Sequence, residues 1–222
     1  MSVIVHGKQV RPRKRITLQM FLTKVTGVIL GILIPVFLAS FLYVFYCGRE
    51  RLTARADCAI VVAPPLTPSG RVSEILTERA RLATKLYREQ RVRGIIVTGL
   101  KGQFTDDALL VVQRKVMDER VSQGAVIYTV EMKDLEELAI HCNRLMEKKL
   151  YDRAVVIATA PLLARTTLLM TRASDALRYD KRFEGYPVPG EPKVEGDRSI
   201  LSETFRFIPT FLTNFPKPTE TQ

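Results

Sequence analysis

Histidine and cysteine are scarce in this chain, with two of the first and three of the second in 222 residues, and the scarcity removes several chemistries at once. His6 lies in a basic N-terminal arm and His141 inside a helical pattern, so neither a Ser-His-Asp triad nor a histidine-rich metal centre has the material to form. Cys47, Cys58 and Cys142 are odd in number and lack the close paired spacing of a zinc site or a disulfide framework. Cys58 opens an apolar run and Cys142 falls within a helix, which suits buried small hydrophobes, while a Cys58 to Cys142 bridge stays open for a domain outside the cell. A glycine-rich dinucleotide fingerprint, a P-loop and a Gly-x-Ser-x-Gly elbow are also missing, so no metal and no cofactor are expected.

Acidic residues are absent from the first 49 positions, and charge of either sign is absent from the twenty-three residues Val25 to Cys47. A helix over that run would be roughly 34 Å long, enough to cross a hydrocarbon core of about 30 Å. It is expected to be a transmembrane helix that tolerates Pro35, with Tyr43 and Tyr46 at an interfacial belt. Lys8, Arg11, Arg13, Lys14, Arg15 and Lys24 precede it, whereas Arg49, Arg51 and Arg55 follow interrupted by Glu50 and Asp57. The bias predicts a cytoplasmic N-terminus and an extracytoplasmic domain behind a single span. A cleaved signal peptide competes, because Ala54-Arg55-Ala56 has the small-x-small pattern, but the apolar run exceeds a signal core of about 7–15 residues. Gly27 and Gly31 form a small-xxx-small pair through which two anchors can associate as a homodimer.

The formal charge of +11 suggests nucleic acid only until it is divided. Without the six basic residues before the span, 28 basic residues face 23 acids, an excess of +5. The basic arm is thus explained by topology and by attraction to anionic headgroups, and no nucleic-acid partner is expected. The lipid bilayer is the expected partner.

Beyond a linker at 48–56, apolar runs alternate with helical periods. Cys58 to Ala63 reads as a strand buried on both faces, followed by a helix from a Ser73 cap to about Gln90. Ile95-Ile96-Val97-Thr98 is a second strand, stopped by Gly99-Leu100-Lys101-Gly102, before a helix capped by Thr105 that runs to about Val121. Ala125 to Thr129, a helix from Asp134 to about Lys148, Ala154 to Ala158 and a helix from Leu162 to about Leu177 continue the alternation. Phe183 to Val188 supplies a fifth strand. A last helix from Ser199 to Ile208 is kinked or restarted by Pro209, its aromatics placed by default in the core and otherwise on a membrane surface. The order predicts an α/β, Rossmann-like three-layer sandwich with a mostly parallel sheet over 57–215, behind a basic arm at 1–24 and the membrane helix at 25–47, with a disordered tail at 216–222.

In such a sheet ligands sit beyond the carboxyl ends of the strands. The loops there begin at Ala63, Thr98, Thr129 and Thr159, so hydroxyls gather at one edge, with Gly99 and Gly102 for close backbone approach and Lys101 as a cation. Arg79 and Arg165 can complete a pocket for a phosphate-like anion, with Asp107 and Glu131 the nearest acids. Taken singly, each has a structural explanation: a strand-end Thr caps a helix, a helical Arg faces solvent, and Asp106 and Asp107 complement a helix dipole and repel phosphate.

These residues resemble the YdcF, SanA and ElyC family, small bacterial α/β domains often carried on one N-terminal membrane helix. The resemblance spans about Asp57 to Phe215. It rests on the first strand, on Arg79 with Ala83, Leu86 and Tyr87, and on Ile95 to Gly99, which is similar to the family's strand ending in Ser-Gly-Gly. Asp107-Ala108 stands for Glu-Ala, Glu131 for the acid after the third strand, Thr159 for the first residue of Thr-Ser, Arg165 for the following Arg, and Ser202-Glu203 for the late Arg-Glu. Leu100, Ala63 and Ala160 replace a second Gly, a first-loop Gly and a Ser; Leu162 and Leu163 occupy the place of a His, and Asp134 to Glu137 do not spell Thr-x-Glu-Asn. The resemblance implies envelope biogenesis, with an extracytoplasmic pocket for a phosphate-bearing ligand such as a polyprenyl-phosphate-linked precursor. Its departures imply the alternative, a catalytically inactive scaffold or regulator that partners envelope-biogenesis proteins. Whether a reaction is catalysed stays open.

Overall fold

A computed structural model describes residues 18–47, 55–64, 74–101, 110, 112–114, 121–188 and 200–212, with the backbone alone at 18–23, 29, 44–47, 130, 131, 160, 161, 200–203, 211 and 212. The Ser73 and Thr105 caps, Gly102, Asp106, Asp107, most of the basic arm and linker, and the tail lie outside the described residues. The chain divides into two compact units, Met1–Val36 and Phe37–Gln222.

In the first unit the described residues are the leading part of helix α1, Leu18–Cys47, which continues through Pro35. A Cβ added at Gly27 or Gly31 would meet nothing within 4 Å, so both glycines open onto free surface. Within α1, Lys24–Tyr43 is long and apolar enough to cross a membrane.

The second unit is built on β1, Cys58–Val62, whose five residues are all buried. Such a run has no polar face, so it needs cover on both sides. It pairs in parallel with β2, Gly94–Leu100, and with β4, Arg153–Ala158; outside these lie β3, Val126–Met132, and β5, Arg182–Pro187. The five-stranded sheet is wholly parallel in the order β3-β2-β1-β4-β5. The period of two divides the core. Ala59, Val61, Ile95, Val97, Val155 and Ile157 face helix α2, Glu74–Arg88, which answers with Leu76, Ala80, Ala83 and Leu86. Cys58, Ile60, Ile96 and Val156 face helices α3, Leu135–Lys149, and α4, Ala160–Leu177, through Leu138, Cys142, Met146, Leu163 and Met170. Each fully buried Leu or Ile side chain contributes about 2 kcal/mol to this three-layer packing. Cys58 and Cys142 are both buried, and both are free thiols.

Several boundaries move. The second strand passes through Gly99 to Leu100, where pairing with β3 shifts register between Thr98 and Leu100. The third begins after a 3-10 turn at Gln123–Ala125 and runs three residues past Thr129 to Met132. Thr98 and Thr129 are therefore inside strands and level with one another. A Cβ on Gly94 would lie 2.5 Å from the Tyr151 hydroxyl, so a larger residue there requires that ring to shift. The last helix, α5, is Ile200–Leu212 and is not broken at Pro209. Phe207 packs against Ala164 and Leu168 of α4, and the Arg172 guanidinium donates to the Thr210 carbonyl. Of the aromatics expected in the core, Phe205 is instead 64% exposed, and the ring that is buried is Phe207, which the expected apolar face did not include; the Phe211 side chain and Phe215 lie outside the described residues.

Candidate functional site at the carboxyl edge of the sheet

The strand order reverses between β1 and β4, which makes the carboxyl ends of these two strands the crevice where a parallel sheet receives a ligand. Helices α2, α3 and α4 all begin on this edge, and their first turns differ. Glu74 starts α2. Helix α3 is capped by Asp134, whose carboxylate accepts from the amides of Glu136 at 3.0 Å and Glu137 at 2.9 Å, and both of those residues are acids. Helix α4 has no acid in its first turn. Its cap residue, Thr159, makes no side-chain capping bond, and its carbonyl accepts from the amides of Leu162 and Leu163 at 2.9 and 3.0 Å. The positive end of the α4 dipole therefore meets no carboxylate of its own, next to the switch point.

Arg79 arrives from α2 and is wholly buried. Its guanidinium donates to the carbonyl of Val62, the last residue of β1. The periodicity that buries Leu76, Ala80 and Ala83 carries Arg79 inward as well, so this cation fixes the carboxyl end of β1. Ala63, just beyond, donates its amide to the Thr98 carbonyl at 2.7 Å.

Thr98 lies opposite Val62 in register and is fully buried, its hydroxyl sealed without a nitrogen or oxygen partner among the described residues. Its neighbour is the Cys142 thiol, which burial pushes up to about 12 against the opposing effect of the Thr98 hydroxyl. Thr129 is level with Thr98, and its hydroxyl donates to the Val97 carbonyl over a long 3.4 Å. Gly99 is buried in β2, while Lys101 is exposed just past it, with its amide on the Met132 carbonyl at 2.7 Å.

Of the residues singled out from the sequence, Arg79 reaches the last residue of β1 from α2, Thr159 directly follows β4, and Thr98 lies inside β2 opposite Val62, so the three fall on three adjacent strands. Lys101 projects beyond β2, and Glu131 lies in β3, two strand widths or about 10 Å from β1. Arg165 is half-buried on the second turn of α4, and Glu203 lies on α5. Asp107 is outside the described residues. The contrast between acid-rich and acid-free helix starts was the signal left unread: Asp134-Leu135-Glu136-Glu137 against Thr159-Ala160-Pro161-Leu162.

His141 takes no place on this edge; it is half-buried in α3, and burial, then Arg144 and Lys148, lower its affinity for a proton. Among the described residues no three His, Cys, Asp or Glu side chains gather to hold a metal ion. The arrangement offers cation, hydroxyl and helix-dipole stabilisation of an anion rather than an identified nucleophile and base. No family model matches the chain, and no curated protein matches it.

Proposed function

We propose that this chain is a single-pass protein of the bacterial inner membrane whose extracytoplasmic α/β domain binds a phosphate-bearing ligand at the carboxyl edge of its sheet, in the service of envelope biogenesis. The observation that carries the reading is the acid-free start of α4 beside the β1/β4 switch point, with the Thr159 hydroxyl outside any capping bond. A phosphate placed there gains from the helix dipole and from a hydroxyl donor, while the starts of α2 and α3 would repel it. Lys101, exposed just past β2, and Arg165, half-buried on the second turn of α4, are the cations assigned to this ligand. The proposed family is that of YdcF, SanA and ElyC, and the proposed ligand class is the polyprenyl phosphates and precursors linked to them. The basic residues ahead of α1 favour the cytoplasmic side for the N-terminus.

The test is thermal unfolding of the detergent-solubilised full chain with inorganic phosphate, nucleotides and a short-chain polyprenyl phosphate, because a ligand selective for the folded state raises apparent stability. Polyprenyl phosphate is expected to raise the midpoint, and Thr159→Val with Lys101→Ala to abolish the rise while leaving the unliganded midpoint within about 2 °C. A folded protein indifferent to every phosphate compound would sink the reading and leave the scaffold alternative in its place.

A further inference from the structure

The C-terminal helix α5 carries a large apolar side chain where a water-facing helix has no use for one. Phe205 is 64% exposed although its ring already rests on another, that of Phe37 in α1, with centroids 5.3 Å apart. Two residues on, the Phe207 ring stacks on Tyr43 of the same helix at 5.2 Å. On α1, Ser40 is buried and Phe37 and Phe41 are half-buried, while Leu38, Leu42 and Tyr43 are exposed. The covered positions recur at helical spacing, so within Phe37–Tyr43 one face is covered and the adjoining face is bare.

The stretch Phe37 to Tyr43 is the last part of the segment of α1 that is long and apolar enough to cross a membrane. Six residues separate Phe37 from Tyr43, a distance of about 9 Å along a helix. A ring resting on Phe37 is therefore about 9 Å deeper than the end of the span, at the level of acyl chains rather than water.

We propose that α5 is a membrane-docking helix: its Phe205 side enters the outer leaflet alongside the end of α1, and the apolar surface formed by Phe205, Leu38 and Leu42 is covered by lipid acyl chains. The proposal rests on α1 spanning the bilayer. Continuity with the span selects lipid as the occupant, because the exposed Phe205 rests on Phe37, which is next in sequence to the exposed Leu38 of the span. An interfacial helix of this kind binds through its buried apolar area. Since Phe207 holds α5 against Ala164 and Leu168, the docking fixes α4 relative to the membrane, with Arg165 next in sequence to the contact.

The chain contains no tryptophan, so one substitution makes a unique reporter. Phe205→Trp, Leu38→Trp and Lys148→Trp would be made in the full chain and reconstituted into phosphatidylcholine vesicles containing acyl-brominated lipid. Quenching at 205 is expected to match that at 38 and to exceed at least twofold that at 148, which is exposed near the end of α3. Quenching by aqueous acrylamide at 205 as strong as at 148 overturns the docking while leaving the span intact. Loss of bromolipid quenching at 38 removes the span and the proposal together. Protection at 205 from both quenchers also overturns it, in favour of a protein occupant such as a second copy of this chain. Phe205→Cys carrying a nitroxide, read by oxygen against nickel accessibility, answers the same question should the Trp variant not fold.

Discussion

The two ends of the sheet use their polar groups in opposite ways. At the amino end Asp57 binds in every direction open to it: its carboxylate accepts from the amides of Asp152 at 2.8 Å and Arg153 at 3.0 Å and from the Arg93 guanidinium. Its backbone adds the Arg153 carbonyl and the amides of Arg93 and Gly94. Lys181 completes that end between Glu147 at 2.8 Å and Asp152 at 3.0 Å. At the carboxyl end, among the described residues, the Thr98 hydroxyl is sealed without an oxygen or nitrogen partner, the Thr159 hydroxyl makes no capping bond, and the first turn of α4 contains no acid. At the amino end Asp57 and Lys181 have their polar capacity consumed by the fold, whereas at the carboxyl end two hydroxyls and a helix start retain some among the described residues. That difference is the ground on which the carboxyl end is proposed as the ligand edge.

The comparison breaks most severely at Arg79, which belongs to both accounts. It lies at the carboxyl end, yet it is fully buried and holds the Val62 carbonyl. Arg79→Ala removes a buried side chain and strips β1 of its terminal donor, so a loss of about 3 kcal/mol is expected in urea unfolding. Arg79 is thus a poor probe of binding, since its variants report the fold first. A loss below about 1 kcal/mol would show the cation to be dispensable to the fold and return it to the candidate site.

Asp57 should rank next, because its three acceptor contacts are charge-assisted and the side chain is 18% exposed. Asp57→Ala is expected to cost about 2 kcal/mol at pH 7. Burial alone would raise this carboxyl, but the Arg153 and Asp152 amides and then Arg93 outweigh it and hold it below the usual carboxylate range. With the folded value depressed, the stabilisation is complete above the unfolded value of about 4 and is lost as pH falls through the folded one. The gap between native and variant proteins should therefore narrow in urea titrations below pH 4. A gap that stays constant down to pH 2 would mean that neutral hydrogen bonding, not charge, ties the strands together.

What the sequence could and could not reveal follows the same physics. Strands buried on both faces leave continuous apolar runs, so Ala59 to Val62 and Ala154 to Ala158 were visible within a residue or two. The extension of β2 through Gly99 depends on a register shift against β3, which one strand's residues do not encode. Pro209 suggested a break because proline costs about 3 kcal/mol inside a helix. The helix survives because the contacts of Phe207 with α4 and of Arg172 with the Thr210 carbonyl act across tertiary distances that no local pattern displays. Thr98, Thr159 and Arg79 could be picked out by residue type and position. The sealing of one hydroxyl and the burial of the cation required the layers to be assembled.

Thr98 gives the smallest effect and the sharpest contrast with Asp57. A hydroxyl closed off from water without a nitrogen or oxygen partner carries a desolvation penalty, whereas valine has nearly the same shape and no polar atom to satisfy. Thr98→Val should therefore be neutral or stabilise the domain by up to about 1 kcal/mol in urea unfolding, the opposite sign from the loss at Asp57. The thiol beside it supplies the internal check, because Cys142 has the Thr98 hydroxyl as its polar neighbour and little other relief from burial. If Thr98→Val is destabilising, and Cys142→Ala no longer adds its own effect in the double variant, the two groups form a structural pair and the hydroxyl belongs to the fold. If the valine variant is as stable as the native chain, the fold does not require that hydroxyl, and the contrast with the amino end of the sheet holds at its most deeply buried position.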